Sequence, residues 1–264
     1  GIDLQTGWRV LAIDRDARAV TVERADAPRR GQGSARTMLM YDQLVYALGS
    51  EPHVPDGVEP GGAVVSASGP EDVTALRRDL ERGAVGSVLV LGGGLVGLEV
   101  AGAVAGPWDC AVTVVEADDR LTPTALDPEM AALVRGHLRR EGVAVRTGAR
   151  VAAARDVNGR AEVTLDDGET LVADLAVLAL GVQPATALAR AAGLVVGECD
   201  GLVDDANLRT SDPVVLAAGD CVELVHHVTG EVLRLAMGSL AARQGRVVGD
   251  VLAGRDAEFP AVVG

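Results

Sequence analysis

The segment Val88-Leu89-Val90-Leu91-Gly92-Gly93-Gly94-Leu95-Val96-Gly97-Leu98-Glu99 constrains the fold more than any other part of the chain. The apolar run Val88–Leu91 predicts a buried strand, and the run from Leu95 to Ala105 predicts a helix. Between them lies G-x-G-x-x-G, with Gly92, Gly94 and Gly97 in the three glycine positions. The first glycine permits a tight turn, the second lets the main chain approach a pyrophosphate, and the third brings the helix close to the sheet. Gly93, Leu95 and Val96 complete a turn whose free N–H groups and positive helix end would receive that pyrophosphate. A second strand, Val112–Val115, ends at Glu116, about 20 residues on, where an acid is expected to accept the hydroxyls of an adenosine ribose. The same carboxylate would repel a 2′-phosphate, which predicts NAD(H) rather than NADP(H). Arg120 argues the other way, because a guanidinium there could pair with the phosphate. Glycines alone could serve turns and packing; the flanking strand, helix and acid favour the dinucleotide.

Around this unit the periodicity alternates. Val10–Ile13 and Ala19–Val22 read as a hairpin, Pro28–Arg36 as an exposed loop at the tip of another, and Tyr41–Leu48 as a buried strand ending at Gly49. Pro52, Pro55 and Pro60 mark an irregular connector. A helix opens at Ser68 or Pro70, with Val73, Leu76 and Leu80 at helical spacing. Asp127–Arg140 is a second amphipathic helix, with Met130, Leu133, Val134, His137 and Leu138 inward or on its border. Val143–Arg146 is a strand, and Val151–Ala154, Ala161–Leu165 and Thr170–Val172 form an antiparallel meander turning at Asn158-Gly159 and Gly168. Leu175–Leu180 is a buried strand, Val214–Ala217 another, and Ser239–Leu252 a helix. The pattern predicts an α/β fold: a Rossmann-type, doubly wound nucleotide domain with a β-meander.

Composition removes several functions. The net charge of −14 excludes a binder of nucleic-acid phosphates, and an aromatic share of 2% excludes a stacking surface for single strands. All 24 basic residues are arginine, so lysine chemistry is excluded within this stretch. Cys110, Cys199 and Cys221 are too few and scattered for a disulfide framework or a zinc cage, and a reduced cytoplasmic setting is expected. The longest apolar runs fall well short of a membrane span, and no secretory signal opens the chain. Because the chain starts at Gly1 and enters a strand-like segment almost at once, the expectation is that either its start has been removed or it is an internal piece of something longer.

Three motifs together resemble the flavin-dependent pyridine nucleotide–disulfide oxidoreductase superfamily along nearly the whole length. They are GGGLVGLE with VVEADDRLTP ending at Pro123, YDQLVYALGSEP at 41–52, and VVLAAGDCVEL at 214–224. Residues 219–254 are most similar to the coenzyme A-disulfide reductase, NADH oxidase and NADH peroxidase branch. The resemblance implies an FAD- and NAD(H)-dependent enzyme that passes hydride from NADH to FAD and on to a disulfide, a thiol-derived group or oxygen. It implies a domain order of 1–62 as the end of a first FAD-domain segment, 63–185 as the NAD(H) domain and 186–264 as a second FAD-domain segment. It further implies that Asp220, after Gly219, accepts a hydrogen bond from the flavin ribityl chain, and that Ala236 and Met237 open a helix aimed at the flavin pyrimidine edge. Gly181-Val182-Gln183-Pro184 is similar to the crossover between the two domains. Glu99 either holds the nicotinamide end near the flavin or pairs locally; Gly181 could belong to a simple β-turn, and the alternative for Asp220, less favoured, is an ordinary turn aspartate.

The sequence departs from that family at Leu48, where a threonine is usual, and at Gly102, where a second acid is often found. The first Rossmann unit, which would hold the ADP half of FAD, is missing: Gly31-Gln32-Gly33 follows no strand. The family's reactive cysteine and its dimerisation domain are missing too; a homodimer is expected of the full-length protein. Cys221 beside Asp220 could approach the flavin, or be a small buried residue at a bend. His226 and His227 lack a third ligand for a metal. Two other readings stay open: an NADH:acceptor reductase of the ferredoxin-reductase or type II NADH dehydrogenase kind, and a non-catalytic NAD-binding fragment.

Overall fold

A computed structural model of the chain describes residues 2–25, 36–108 and 110–263. It divides into two compact units, Gly1–Glu51 with Gln183–Gly264, and Pro52–Val182. The Pro28–Arg36 loop and the Gly31-Gln32-Gly33 triplet fall, but for Arg36, outside the described residues.

The first unit opens with an antiparallel meander of β1 (Trp8–Asp14), β2 (Ala19–Arg24) and β3 (Thr37–Met40), with a bulge between Val10 and Ala12. Next come β4 (Leu44–Tyr46) and β5 (Ser50–Pro52). The expected strand Tyr41–Leu48 is cut to three residues because its parallel partner, described below, is itself only three residues long.

The inserted unit runs β6 (Val64–Ser66), α1 (Pro70–Glu81), β7 (Ser87–Leu91), α2 (Leu95–Ala105), β8 (Ala111–Val115), α3 (Pro128–Arg140) and β9 (Ala144–Arg146). The meander β10 (Val151–Val157), β11 (Arg160–Leu165) and β12 (Thr170–Ala173) follows, and then β13 (Leu175–Leu178). Five strands form one parallel sheet in the order β6-β13-β7-β8-β9. From β7 the chain moves to β8 and β9 on one side, then returns through the meander to β13 on the other. The strand order therefore reverses between β7 and β13, where ligands of doubly wound sheets bind. Val90, Leu91, Val114, Ala176 and Val177 are fully buried, as continuous apolar runs in a parallel sheet require. Leu76 and Leu80 of α1, Ala101 and Val104 of α2 and Leu138 of α3 pack into the same core. Val73, at helical spacing with Leu76 and Leu80, is 50% exposed; Met130 and Leu133, expected inward or on the border of α3, are 47% and 65% exposed, and His137 is exposed as well. Each helix needs only a narrow stripe of contact, and these residues lie beside it.

The chain returns through β14 (Val182–Pro184), which pairs with β5, and continues as α4 (Ala187–Ala191) and β15 (Val215–Ala217). A short hairpin, β16 (Leu224–Val225) with β17 (Val232–Leu233), leads to α5 (Gly238–Leu252). β15 lies parallel to β4, pairing Val215 with Leu44 and Ala217 with Tyr46. One core joins Tyr46, Leu202, Val215, Ala217, Cys221 and Leu240, and a smaller one joins Leu208, Leu216, Val248 and Val251.

Candidate functional site

The glycine-rich turn lies at the carboxyl end of β7, at the reversal point of the sheet. Gly92 has φ +112°, and a Cβ there would overlap the carbonyl oxygen of Ala179, which follows β13. A Cβ at Gly97 would overlap the carbonyl oxygen of Gly92. At Gly93 it would lie 2.7 Å from Leu121 Cδ2. Gly94 differs: a Cβ there meets nothing within 4 Å. So Gly92 and Gly97 are required by contacts with the main chain, Gly93 is crowded by side chains, and Gly94 borders a space that the protein does not fill.

Gly94 caps α2 without a side-chain hydrogen bond, and the first intrahelical main-chain bond runs from Leu98 N–H to the Gly94 carbonyl. The N–H groups of Leu95, Val96 and Gly97 precede it and have no intrahelical acceptor. Leu95 and Val96 are 67% and 52% exposed, so the opening turn of α2 is accessible. Glu99 is also exposed.

Glu116, at the carboxyl end of β8, is only 8% exposed. Its Oε2 accepts the Gly93 N–H at 2.6 Å and its Oε1 accepts the Asp118 N–H at 2.8 Å. One carboxylate therefore clamps the glycine turn to the end of the second strand. Each of its oxygens has a further lone pair, so the clamp does not exhaust its accepting capacity. Arg120 is drawn aside: its terminal nitrogens donate to Asp119 Oδ1 at 3.2 Å and to the Pro123 carbonyl at 3.1 Å.

In the other unit, Gly219 (φ +88°) and Asp220 follow the carboxyl end of β15. The Gly219 N–H donates to Oε1 of Gln244, a residue 1% exposed on α5, at 2.7 Å. The hydroxyl of Ser50 donates to Asp220 Oδ2 at 3.0 Å. α5 begins at Gly238 with Met237 as its cap, so Ala236 lies before the helix; both residues are exposed. Gly181 takes φ +93° and is followed by β14, where Gln183 donates to Glu51 Oε1 at 3.1 Å. Ser50 and the burial of Gln244 have no signal in the sequence, since each depends on a contact with a distant segment.

The thiol of Cys221 is fully buried, donates to the Ala218 carbonyl at 3.2 Å, and has its pKa raised by burial. That disfavours the thiolate a nucleophile needs. His226 Nδ1 accepts the Thr229 N–H at 3.1 Å within its own loop. Among the described residues no group of His, Cys, Asp and Glu could hold a metal, and no helix is long and apolar enough to cross a membrane.

Compared with known proteins, the sequence matches the pyridine nucleotide-disulphide oxidoreductase family over residues 1–244. The chain belongs to that family. Among its members, an NADH oxidase of Methanocaldococcus jannaschii is 35% identical over 224 residues, covering 83% of this chain and 48% of the relative. A rubredoxin-NAD(+) reductase of Pseudomonas putida is 35% identical over 223 residues, covering 83% and 56%. The solved structure of an NAD-dependent persulfide reductase from A. fulgidus superimposes with a TM-score of 0.86 at 36% identity, over 97% of this chain and 46% of that one. The chain thus spans about half the length of the curated relatives it matches. The family's α/β, Rossmann-type fold is the one found here, as the sequence motifs predicted.

Proposed function

We propose that this chain is the pyridine-nucleotide-binding part, with adjoining flavin-domain segments, of an FAD-dependent oxidoreductase that takes its electrons from NADH. The observation that carries this reading is the open space at Gly94, between packed glycines and beside the unpaired N–H groups that begin α2. A pyrophosphate has the charge and size such a cradle accepts. Residues 63–185 are read as the NAD(H) domain, and 1–62 with 186–264 as two segments of the FAD domain. On this reading Gly92, Gly93, Gly94, Leu95, Val96 and Gly97 bind the pyrophosphate, and Glu116 accepts the adenosine ribose. Asp220 and Gly219 face the flavin chain and Ala236 and Met237 its pyrimidine edge, while Glu99 is read as holding the nicotinamide end and Gly181 as part of the crossover between the two domains. The residues present fit only the far end of the flavin, because the chain carries no second strand–glycine–helix unit for its ADP half. When bound, nicotinamide and flavin would supply the hydride-transfer chemistry, and the protein would bind and orient them.

NADH is preferred over NADPH on two supports: Glu116 is anchored at the ribose position, and the terminal nitrogens of Arg120 are engaged elsewhere. The acceptor beyond the flavin is a small disulfide, a thiol-derived group or oxygen. A second reading, transfer to a redox protein, is favoured by the similarity to a rubredoxin-NAD(+) reductase. A homodimer of the full-length protein and a cytoplasmic location complete the proposal; the latter rests on the small number and wide scatter of the three cysteines.

The deciding experiment uses the full-length protein. Purified with FAD, it should lose its flavin absorbance on anaerobic addition of NADH, and a roughly tenfold higher concentration of NADPH should be needed, a difference of about 1.4 kcal/mol. A flavin band untouched by either nucleotide would rule the reading out. Reoxidation with oxygen, a persulfide or a rubredoxin then separates the acceptors.

A further inference from the structure

Two loops meet beyond the carboxyl ends of the parallel strands β4 and β15. One follows Tyr46 and reaches Ser50; the other follows Ala217 and reaches Cys221. They are tied together at their roots, where the Ala218 N–H donates to the Tyr46 carbonyl at 3.0 Å. The Cys221 thiol lies 3.6 Å from the same oxygen. The carboxyl edge of parallel strands is where open α/β sheets hold ligands.

Within this edge Asp220 is held from two directions. Gln244, buried on α5, fixes the main chain by accepting the Gly219 N–H at 2.7 Å. Ser50, on β5, fixes the side chain by donating to Oδ2 at 3.0 Å. Among the described residues Ser50 is the one side chain that donates a hydrogen bond to this carboxylate. The other oxygen, Oδ1, accepts no hydrogen bond from the described residues and is not fully buried. A carboxylate with one oxygen tethered cannot turn freely about its last torsion, and it presents the other oxygen in a fixed direction.

We infer that Ser50 is a positioning residue for flavin binding: its hydroxyl orients Asp220 so that Oδ1 accepts a hydroxyl hydrogen of the flavin's polyol chain. The inference rests on the reading of Asp220 as a flavin ligand given above. Nothing in the local sequence links the two residues, which are 170 positions apart.

The test measures the FAD dissociation constant of the full-length apoprotein by quenching of flavin fluorescence. Ser50→Ala raises it about tenfold, corresponding to about 1.4 kcal/mol, while the thermal midpoint of the apoprotein stays at the wild-type value. In an Asp220→Ala background the same substitution changes the constant less than about twofold, because the group through which Ser50 acts is gone. Ser50→Thr and Ser50→Val form a second pair of equal shape in case the alanine variant folds poorly: threonine keeps the tight constant and valine loses it. An unchanged constant in Ser50→Ala, an undiminished loss in the Asp220→Ala background, or equal constants for threonine and valine would each overturn the proposal. Wild-type apoprotein that takes up no FAD would instead sink the reading of Asp220 on which the inference stands.

Discussion

A methyl group added at Gly97 would overlap the carbonyl oxygen of Gly92, whereas one added at Gly94 would enter open space. The two glycines hold different places in the motif, and their substitutions should have different consequences. Gly97→Ala should lower stability by about 1–3 kcal/mol, the usual effect of overpacking, seen as a reduced urea midpoint without nucleotide. Gly94→Ala should leave that midpoint nearly unchanged and weaken NADH at least tenfold in a binding titration. If Gly94→Ala bound NADH normally, the open space would not be the pyrophosphate site. Glu116 combines both kinds of role. Its accepting position was legible from the end of a strand, but its grip on the Gly93 N–H was not, because that contact depends on how the turn folds back. Glu116→Ala therefore should cost about 1–3 kcal/mol of stability, the penalty for a buried donor left without an acceptor, in addition to any loss of NADH. Asp204 offers a pH test. Burial, aided by the neighbouring Asp205 charge, pushes its pKa up to about 8 from 3.8. An acid raised in this way takes up a proton on folding, so its contribution is greatest below pH 3.8 and declines as the pH rises to about 8. Asp204→Asn should flatten that decline and raise stability at pH 8 by at least about 1 kcal/mol; urea midpoints across pH 5–9, roughly the window set by linkage, check it.

At the scale of elements, helix ends were read better than helix faces. α2 spans Leu95–Ala105, as its apolar run predicts, with Gly94 and Gly106 at its two ends. α3 spans Pro128–Arg140, close to the amphipathic stretch Asp127–Arg140; the Asp127 side chain caps it by accepting the Met130 N–H at 2.9 Å. Asp127→Ala should cost about 1 kcal/mol through the lost cap, and Asp127→Ser should recover most of it. The faces are less legible at Val73, Met130 and Leu133, since spacing says which residues share a side and not how wide the contact will be. β6 and α4 were not anticipated. β6 has three residues and gains its place only by pairing with β13, more than a hundred positions on, and α4 has five. Elements that short carry little periodicity, and their stability comes from partners the local sequence does not name. Asp174 shows the same dependence. Its carboxylate accepts the N–H groups of Gly86 and Ser87 and the Ser87 hydroxyl, tying the start of β13 to the start of β7 and holding its pKa below the usual range. That contribution is present at neutral pH and is lost as the solution becomes acid.

For the molecule as a whole, each unit has its own core: one cluster lies wholly within 52–182, and the other two lie outside it. NADH should therefore raise one calorimetric transition and leave the other in place. At a hundred times the dissociation constant the gain is about 2.7 kcal/mol. A uniform shift of both transitions would show that the units unfold together. The chain enters the inserted unit through β5 and leaves it through β14, and those strands are hydrogen-bonded neighbours. Paired strands stand about 4.8 Å apart, so the two ends of the insert emerge side by side. In the language of gene architecture, that makes residues 52–182 a cassette. A short turn joining the two strands would close the gap left by its removal, and a foreign domain with adjacent termini could be spliced into the same position. On the function proposed above, recombination could exchange the electron-donor specificity of the enzyme in a single event, without redrawing the pairing of β4 with β15.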